Sequence, residues 1–278
     1  MTTVAEPHTV TAATNAPPAR VSPRRLDQRH SVIVGAQLAI LIVTLALWEI
    51  LAQAGVVSTF LFASPTLIWQ ALVQQAGAGT LVSDFLLTMQ ETVFGFLLGA
   101  VGGSLLGLVL WYSRVVARVS APYIAAIGAI PVLAVAPLII IWFGTGMLSK
   151  VVIVAFSCVV VSLTNAYRGA LDVDQDELNL MRSFGASRHQ IFTKVVVPSS
   201  MTWVVSGLKL NVGLAVIGAI VGEYISSSAG IGHSIQVASA NFSIARVMAG
   251  LVMVVVLVAL LQLAMYVIER LLLPWKRR

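Results

Sequence analysis

The sequence predicts an all-α protein that crosses a membrane six times. Three observations predict it. Of the 278 residues, 58% are apolar and only 10% charged, too few polar residues to cover a soluble domain of this length. Several apolar stretches exceed about 18 residues, the length that crosses roughly 30 Å of hydrocarbon as a helix. No alternation in segments of about ten residues, the mark of a transmembrane barrel, accompanies them. The net charge of +6 fits the Lys and Arg that membrane proteins collect on their cytoplasmic side, so nucleic acid is not an expected partner. The single cysteine, Cys158, lies in an apolar run and supports neither an internal disulfide nor a Cys-rich metal site.

Residues 1–30, rich in Ala, Thr, Pro and Val and ending in Arg20, Arg24, Arg25 and Arg29, read as a disordered cytoplasmic tail ahead of a membrane domain over 31–278. The first span is expected at 32–52. Ala52-Gln53-Ala54 mimics a signal-peptidase site, but the apolar run is too long for a typical signal peptide, so an uncleaved anchor is expected. Further spans are expected at 86–111, 120–143, 149–169, 201–224 and 244–272. Six spans put both termini on one side. With that side cytoplasmic, the inner segments also hold Arg114, Arg118, Arg168, Arg182, Arg188, Lys194, Arg270, Lys276, Arg277 and Arg278. The outer segments hold only Lys150 and Arg246, the bias that the positive-inside rule requires. The outer connection 53–85 carries Phe60, Phe62, Trp69 and Leu72 and reads as a short surface helix or a cover over the mouth.

Within the spans, Gly95, Gly99, Gly103 and Gly107 recur four apart, a spacing that lets helix backbones approach closely in lipid. The seam lies either within one chain or between two. Pro131 and Pro137, with Gly128, bend the third span, and broken backbone is tolerated at membrane depth where it lines a cavity or is buried in protein. The third span is therefore placed beside a solute path; a simple kink is the alternative. Glu49, Glu91 and Glu223 fall towards outer span ends, and Lys209 towards an inner one. Glu223 and Glu91 are the candidates for a gate, since ionisable groups in spans are costly. For Glu223 a capping or pairing role is the stronger competitor. Lys209 is expected to snorkel to the cytoplasm.

The inner loop 170–200 is the most informative segment. Asp174 and Glu177 have capping-box spacing, Leu178, Met181 and Phe184 follow at helical spacing, and Gly185 ends the helix. Ser187 and Gln190 form a second capping box, and a short helix through Ile191 and Phe192 runs to Pro198, which is expected to stop it. The product is helix, glycine elbow, helix. Leu180, Phe184, Ile191 and Phe192 are expected to be exposed beside Arg182, Arg188 and His189. Such an element suits a partner's groove, or the bilayer surface.

These residues resemble the EAA loop of binding-protein-dependent ABC importer permeases. That pattern is Glu-Ala-Ala, three residues, Gly, nine residues, an aliphatic residue, one residue, Leu, Pro. Here Gly185 stands at the right distance from Val195, Val197 and Pro198, and Gly185-Ala186-Ser187 with Gln190-Ile191-Phe192 extend the match. Asn179-Leu180-Met181 replace the Glu-Ala-Ala, with Glu177 two residues earlier. The similarity covers about 60–275, including Ile141-Trp142-Phe143-Gly144, Val221-Gly222-Glu223 and Gly230-Ile231-Gly232. The order is similar to nitrate, sulfonate and taurine permeases. Glu91 and Met181-Arg182-Ser183-Phe184-Gly185 look like the pyrimidine-precursor and riboflavin branch.

The resemblance implies a type I importer permease fold in the bacterial inner membrane, multi-pass, with both termini cytoplasmic. It implies a permease homodimer, a cytoplasmic ATPase dimer that holds ATP and Mg, and a periplasmic or lipid-anchored solute-binding protein. The docking residues would be Glu177, Leu180, Phe184, Gly185, Ala186, Ser187, Arg188, Gln190, Phe192 and Pro198. The sequence contains no Gly-x-x-x-x-Gly-Lys-Ser/Thr loop, nucleophile–base pair or metal cluster, so no cofactor and no catalysis are expected in this chain. An ion-coupled secondary transporter and a membrane scaffold without transport of its own are the alternatives.

Overall fold

The computed structural model describes residues 23–273. Most of the expected tail, together with Lys276, Arg277 and Arg278, lies outside the described residues. The elements in order are α1 (Pro23–Gln53), α2 (Thr59–Phe62), α3 (Pro65–Gly77) and α4 (Thr80–Phe96). A π-turn (Leu97–Val101), α5 (Gly102–Val109) and a 3-10 turn (Leu110–Tyr112) continue α4. Then come α6 (Arg114–Ala129), α7 (Val132–Phe143), α8 (Met147–Leu171), α9 (Gln175–Ser183) and α10 (Arg188–Ile191). A second π-turn (Phe192–Val196), α11 (Val197–Ser226), α12 (Ile231–Ala240) and α13 (Ile244–Leu272) complete the chain. The first helix thus starts at Pro23, inside the stretch expected to be disordered tail.

Among the described residues, five helical stretches are long and apolar enough to span a membrane: Val32–Gln53, Thr80–Tyr112, Met147–Leu171, Arg188–Ser226 and Ile244–Leu272. The expected third span is not one helix. Its two halves, α6 and α7, meet at 93°, and the pair makes a sixth span only if both halves count as one. The break falls at Pro131. Ile130 before it is extended (φ −75°, ψ 120°), as a residue preceding proline prefers, and Pro131, also extended, is the N-cap residue of α7. Pro137, though inside α7, does not end it.

The central helix is α8, packed by α4, α5, α7 and α11. The glycine seam fixes one of these contacts within the chain. A Cβ at Gly95 would lie 2.3 Å from Val154 Cβ; at Gly99, Gly103 and Gly107 it would lie 2.3, 2.4 and 2.2 Å from the carbonyl oxygens of Ala155, Val159 and Leu163. Only a hydrogen fits there, so the two backbones touch along three turns. On the other side of α8, Gly218 meets Ser157 and Val154, and buried Asn211 donates to Ser162. By contrast α1 stands at the margin, its apolar side chains exposed, held at its end by Glu49, which accepts from Thr66 N at 3.0 Å.

Lys209 does not snorkel: its ammonium pairs with Glu269 on α13, which satisfies the charge where it stands. Nor does Pro198 stop the loop helix. It occupies the first turn of α11, directly after the π-turn, whose wider backbone accommodates the ring and the missing N–H. Residues Arg188–Ser226 therefore form one unbroken 39-residue stretch.

Candidate functional site

The bundle has two polar ends. At the loop end, α9 terminates in a Schellman motif: Ala186 N donates to Met181 O at 3.0 Å and Gly185 N to Arg182 O at 2.9 Å, with Gly185 at φ +74°. The elbow then enters α10 through a complete capping box. Ser187 Oγ accepts from Gln190 N at 3.3 Å, and Gln190 Oε1 accepts from Ser187 N at 2.8 Å. The first expected box is different. Asp174 accepts from Asp176 N at 2.9 Å, two residues on, and Glu177 stays exposed with no part in it. A short aspartate reaches its nearest amide first.

The elbow is anchored to the end of the second span. The Arg188 guanidinium donates to Tyr112 O and sits 5.7 Å from the rings of Trp111 and Tyr112. Phe192 packs on the same rings at 5.7 and 4.6 Å, and Ile191 is buried. Ile191 and Phe192 are therefore not the free apolar surface expected of them: Ile191 is buried in the core and Phe192 packs on the aromatic pair at 111–112. What remains exposed is Leu180, at 58%, and Phe184, at 77%. Around them Gly185, Ser187, Arg188, Gln190 and Pro198 are exposed and Ala186 half-buried.

The opposite end holds a cluster of buried ionisable groups. Asp84, Thr88 and Glu91 lie at i, i+4 and i+7 on one face of α4, turned towards Glu223 of α11 and Lys150 of α8. Glu91, Lys150 and Glu223 are only 2%, 1% and 0% exposed. The N-terminus of α12 enters this cluster without a side-chain cap of its own. Instead three consecutive amides find acceptors on other helices: Gly230 N on Asp84 at 2.9 Å, Ile231 N on Thr88 Oγ1 at 2.9 Å and Gly232 N on Glu223 Oε2 at 2.6 Å. Oxygen acceptors on neighbouring helices here satisfy the amides that a helix start leaves unpaired. Thr88 Oγ1 also bonds Glu223 Oε1 at 2.6 Å. Glu91 Oε2 is buried there without a hydrogen-bond partner among the described residues, and the Lys150 ammonium donates to Thr145 O.

The expected gate candidates thus separate. Glu91 and Glu223 sit together, buried inside one subunit, with Glu223 capping α12 and pairing with Thr88. Pro131 and Pro137 lie elsewhere, exposed on α6–α7. Lys150, expected in an outer segment, belongs to the buried cluster. Reading the sequence missed Asp84, Thr88, Lys150 and the whole of α12. The polar stripe at 84, 88 and 91 on an otherwise apolar helix was the available signal.

Residues 95–278 match the family described as binding-protein-dependent transport system inner membrane component. The chain is 29% identical to SsuC of Bacillus subtilis (strain 168), a permease protein named for aliphatic sulfonates transport, over 95% of this chain and 94% of that one. It is 31% identical to the riboflavin transport system permease protein RibX of Chloroflexus aurantiacus, over 94% and 97%. Among solved structures, the inward-facing MetNI methionine ABC transporter superposes with a TM-score of 0.61 at 20% identity, over 71% of this chain and 98% of that one. The chain belongs to the binding-protein-dependent transport system inner membrane component family and is the permease subunit of an ABC importer.

Proposed function

We propose that this permease imports a small polar solute by alternating access, driven by a separate ATPase dimer that binds ATP and Mg and docks on the α9–α10 elbow. The elbow carries the reading: it leaves Leu180 and Phe184 exposed while its own base is pinned to Trp111 and Tyr112. Because α10 continues through the π-turn into α11, a push on the elbow is delivered along one helix of about 58 Å, by the usual rise per residue. At its far end that helix bears Glu223, and so α12 and α4 are drawn into the motion. ATP drives this only through its different affinity for the two states.

A second copy of the chain is the proposed partner across the path, with the loop end cytoplasmic. The α6–α7 break supports this. At Ile130 and Pro131 the helix backbone is interrupted and exposed, and hydrocarbon cannot satisfy such groups. A facing subunit or a water-filled path can, which also supports Pro131 and Pro137 as path residues. The inner-membrane setting, and a solute-binding protein docking at the α12 end, complete the reading. The named relatives support a sulfonate-like anion or a heteroaromatic vitamin precursor as solute. No charged residue occurs from 119 to 149, so the break offers no carboxylate for proton or cation coupling.

The test uses the tagged chain purified from its host in mild detergent. A P-loop ATPase is expected to co-purify and to be lost from the Leu180→Asp, Phe184→Asp double variant, whose melting temperature stays at the wild-type value. Reconstituted with its binding protein, the complex should take up labelled alkanesulfonate, nitrate, riboflavin or a pyrimidine precursor only with ATP inside. Uptake that ignores ATP and follows an ion gradient would sink the proposal.

A further inference from the structure

The loop end also carries a basic cavity that the docking elbow does not explain. It has a volume of about 460 Å³ and lies between the end of the second span, the end of α8 and the α9–α10 elbow. Its polar and aromatic wall is Trp111, Arg114, Tyr167, Gln175, Arg182 and Arg188, with no Asp or Glu in the lining. The acids nearby in sequence are engaged or stand outside the wall. Asp172 accepts from Trp203 Nε1 at 3.1 Å, Asp174 caps α9 at Asp176, and Asp176 and Glu177 are exposed in the first turn of that helix. Three guanidiniums around one cavity repel one another unless an anion lies among them.

Their presentation is partly fixed in advance. Arg188 is held by Tyr112 O and the Trp111 and Tyr112 rings, and Arg182 is oriented by Asn179 Oδ1 at 2.9 Å. The Arg114 side chain has no hydrogen bond or ion pair among the described residues. Guanidinium forks match phosphate oxygens better than any other side chain does. Two spans end here, at Tyr112 and Leu171, and Trp and Tyr at span ends mark the level of lipid headgroups. The geometry points to a binding site for a phosphate-bearing anion in this cavity, supplied by the headgroup of an anionic phospholipid or by a phosphate ester from solution. The site goes beyond the transport reading and needs only the membrane boundary at these two span ends.

The full chain, with the subunits it carries, is delipidated in neutral detergent and titrated with phosphatidylglycerol, phosphatidylcholine or inorganic phosphate, and occupancy is read by native mass spectrometry. Phosphatidylglycerol or inorganic phosphate is expected to bind at least about tenfold tighter than phosphatidylcholine. Displacement of phosphatidylglycerol by millimolar inorganic phosphate assigns the site to soluble phosphate; resistance to displacement assigns it to the lipid. Arg114→Gln, an exposed change at the start of α6, should weaken binding about tenfold, and adding Arg182→Gln about tenfold more. Arg118→Gln, on the same helix but outside the wall, should change nothing. Equal binding by wild type and Arg114→Gln, or no preference over phosphatidylcholine, overturns the assignment and leaves the cavity to a carboxylate of a partner subunit.

Discussion

Gly102 and Gly103 are neighbours in sequence and in α5, yet the structure gives them opposite fates on substitution. A Cβ at Gly103 would stand 2.4 Å from Val159 O and 3.1 Å from Val159 Cα, whereas a Cβ at Gly102 would meet nothing within 4 Å. The obstacle at 103 is backbone, so no rotamer change removes it. Ordinary contact requires α5 and α8 to separate by about 1 Å, and a rigid helix pair cannot open at one glycine without loosening the contacts at Gly99 and Gly107. Overpacking of this kind costs about 1–3 kcal/mol, a factor of about 5 to 150 in the folded ratio. Gly103→Ala is therefore expected to lower the melting temperature in detergent by about 2–12 °C, at about 2–4 °C per kcal/mol for a chain this long. Gly102→Ala should leave it unchanged or raise it slightly, since alanine is the better helix former by up to about 1 kcal/mol. Melting is followed by size-exclusion chromatography of heated samples. If the two alanines melt within about 1 °C of each other, the claim that the seam packs inside one chain is wrong.

Two further changes probe the polar ends. Gly230→Ala places a Cβ 2.2 Å from Glu223 Oε1 at a φ of +102°, so α12 should leave its three acceptors; faster amide exchange over 230–240, with the rest of the chain protected, is the expected signature. Gly185→Asn should keep the elbow, because asparagine tolerates left-handed backbone at a cost of about 1 kcal/mol or less, while Gly185→Pro cannot adopt φ +74° and should abolish ATPase co-purification.

The parts of this fold that were legible in the sequence are those governed by local chemistry. The span Ile244–Leu272 matches its expected limits because continuous hydropathy sets both ends. The Schellman elbow at Gly185 and the box at Ser187 and Gln190 are short-range hydrogen-bond patterns, readable from spacing alone. What escaped depends on tertiary neighbours. Pro198 reads as a stop in isolation, and only the preceding π-turn lets the helix pass. Ile191 and Phe192 read as a docking surface because nothing local reveals that Ile191 will enter the core or that Trp111 and Tyr112, some 80 residues earlier, will pack on Phe192. Lys150 reads as a loop charge because its acidic neighbours come from two other helices. The short helix α12 is too brief and too polar at its start to register as a span, and its capping groups come from α4 and α11 rather than from its own N-terminus.

The buried charges and the long helix belong to one mechanical argument. A lever is useful only if its far end grips something. At its near end α11 continues the elbow, held to Tyr112 by Arg188. At its far end it grips α12 and α4 through Glu223, in a region where water cannot compete for the carboxylate. Removing an acceptor from such a buried network leaves several donors unpaired at once, each at about 1–3 kcal/mol, so the grip is stiff. Along its length, α11 packs on α8 through Gly207, Gly218 and Gly222, which receive the side chains of Asn165, Ser157, Ile153 and Lys150, and through the buried bond from Asn211 to Ser162. Contacts to α8 also hold α6 and α7, through Gly128 against Val160 and through Ala136 and Ile139 beside Ile153, but the two helices meet at the Pro131 break and leave most of their side chains exposed. Under the proposed mechanism the break is therefore where a displaced α11 and α8 meet least resistance, and the path opens beside the one span whose backbone is already interrupted.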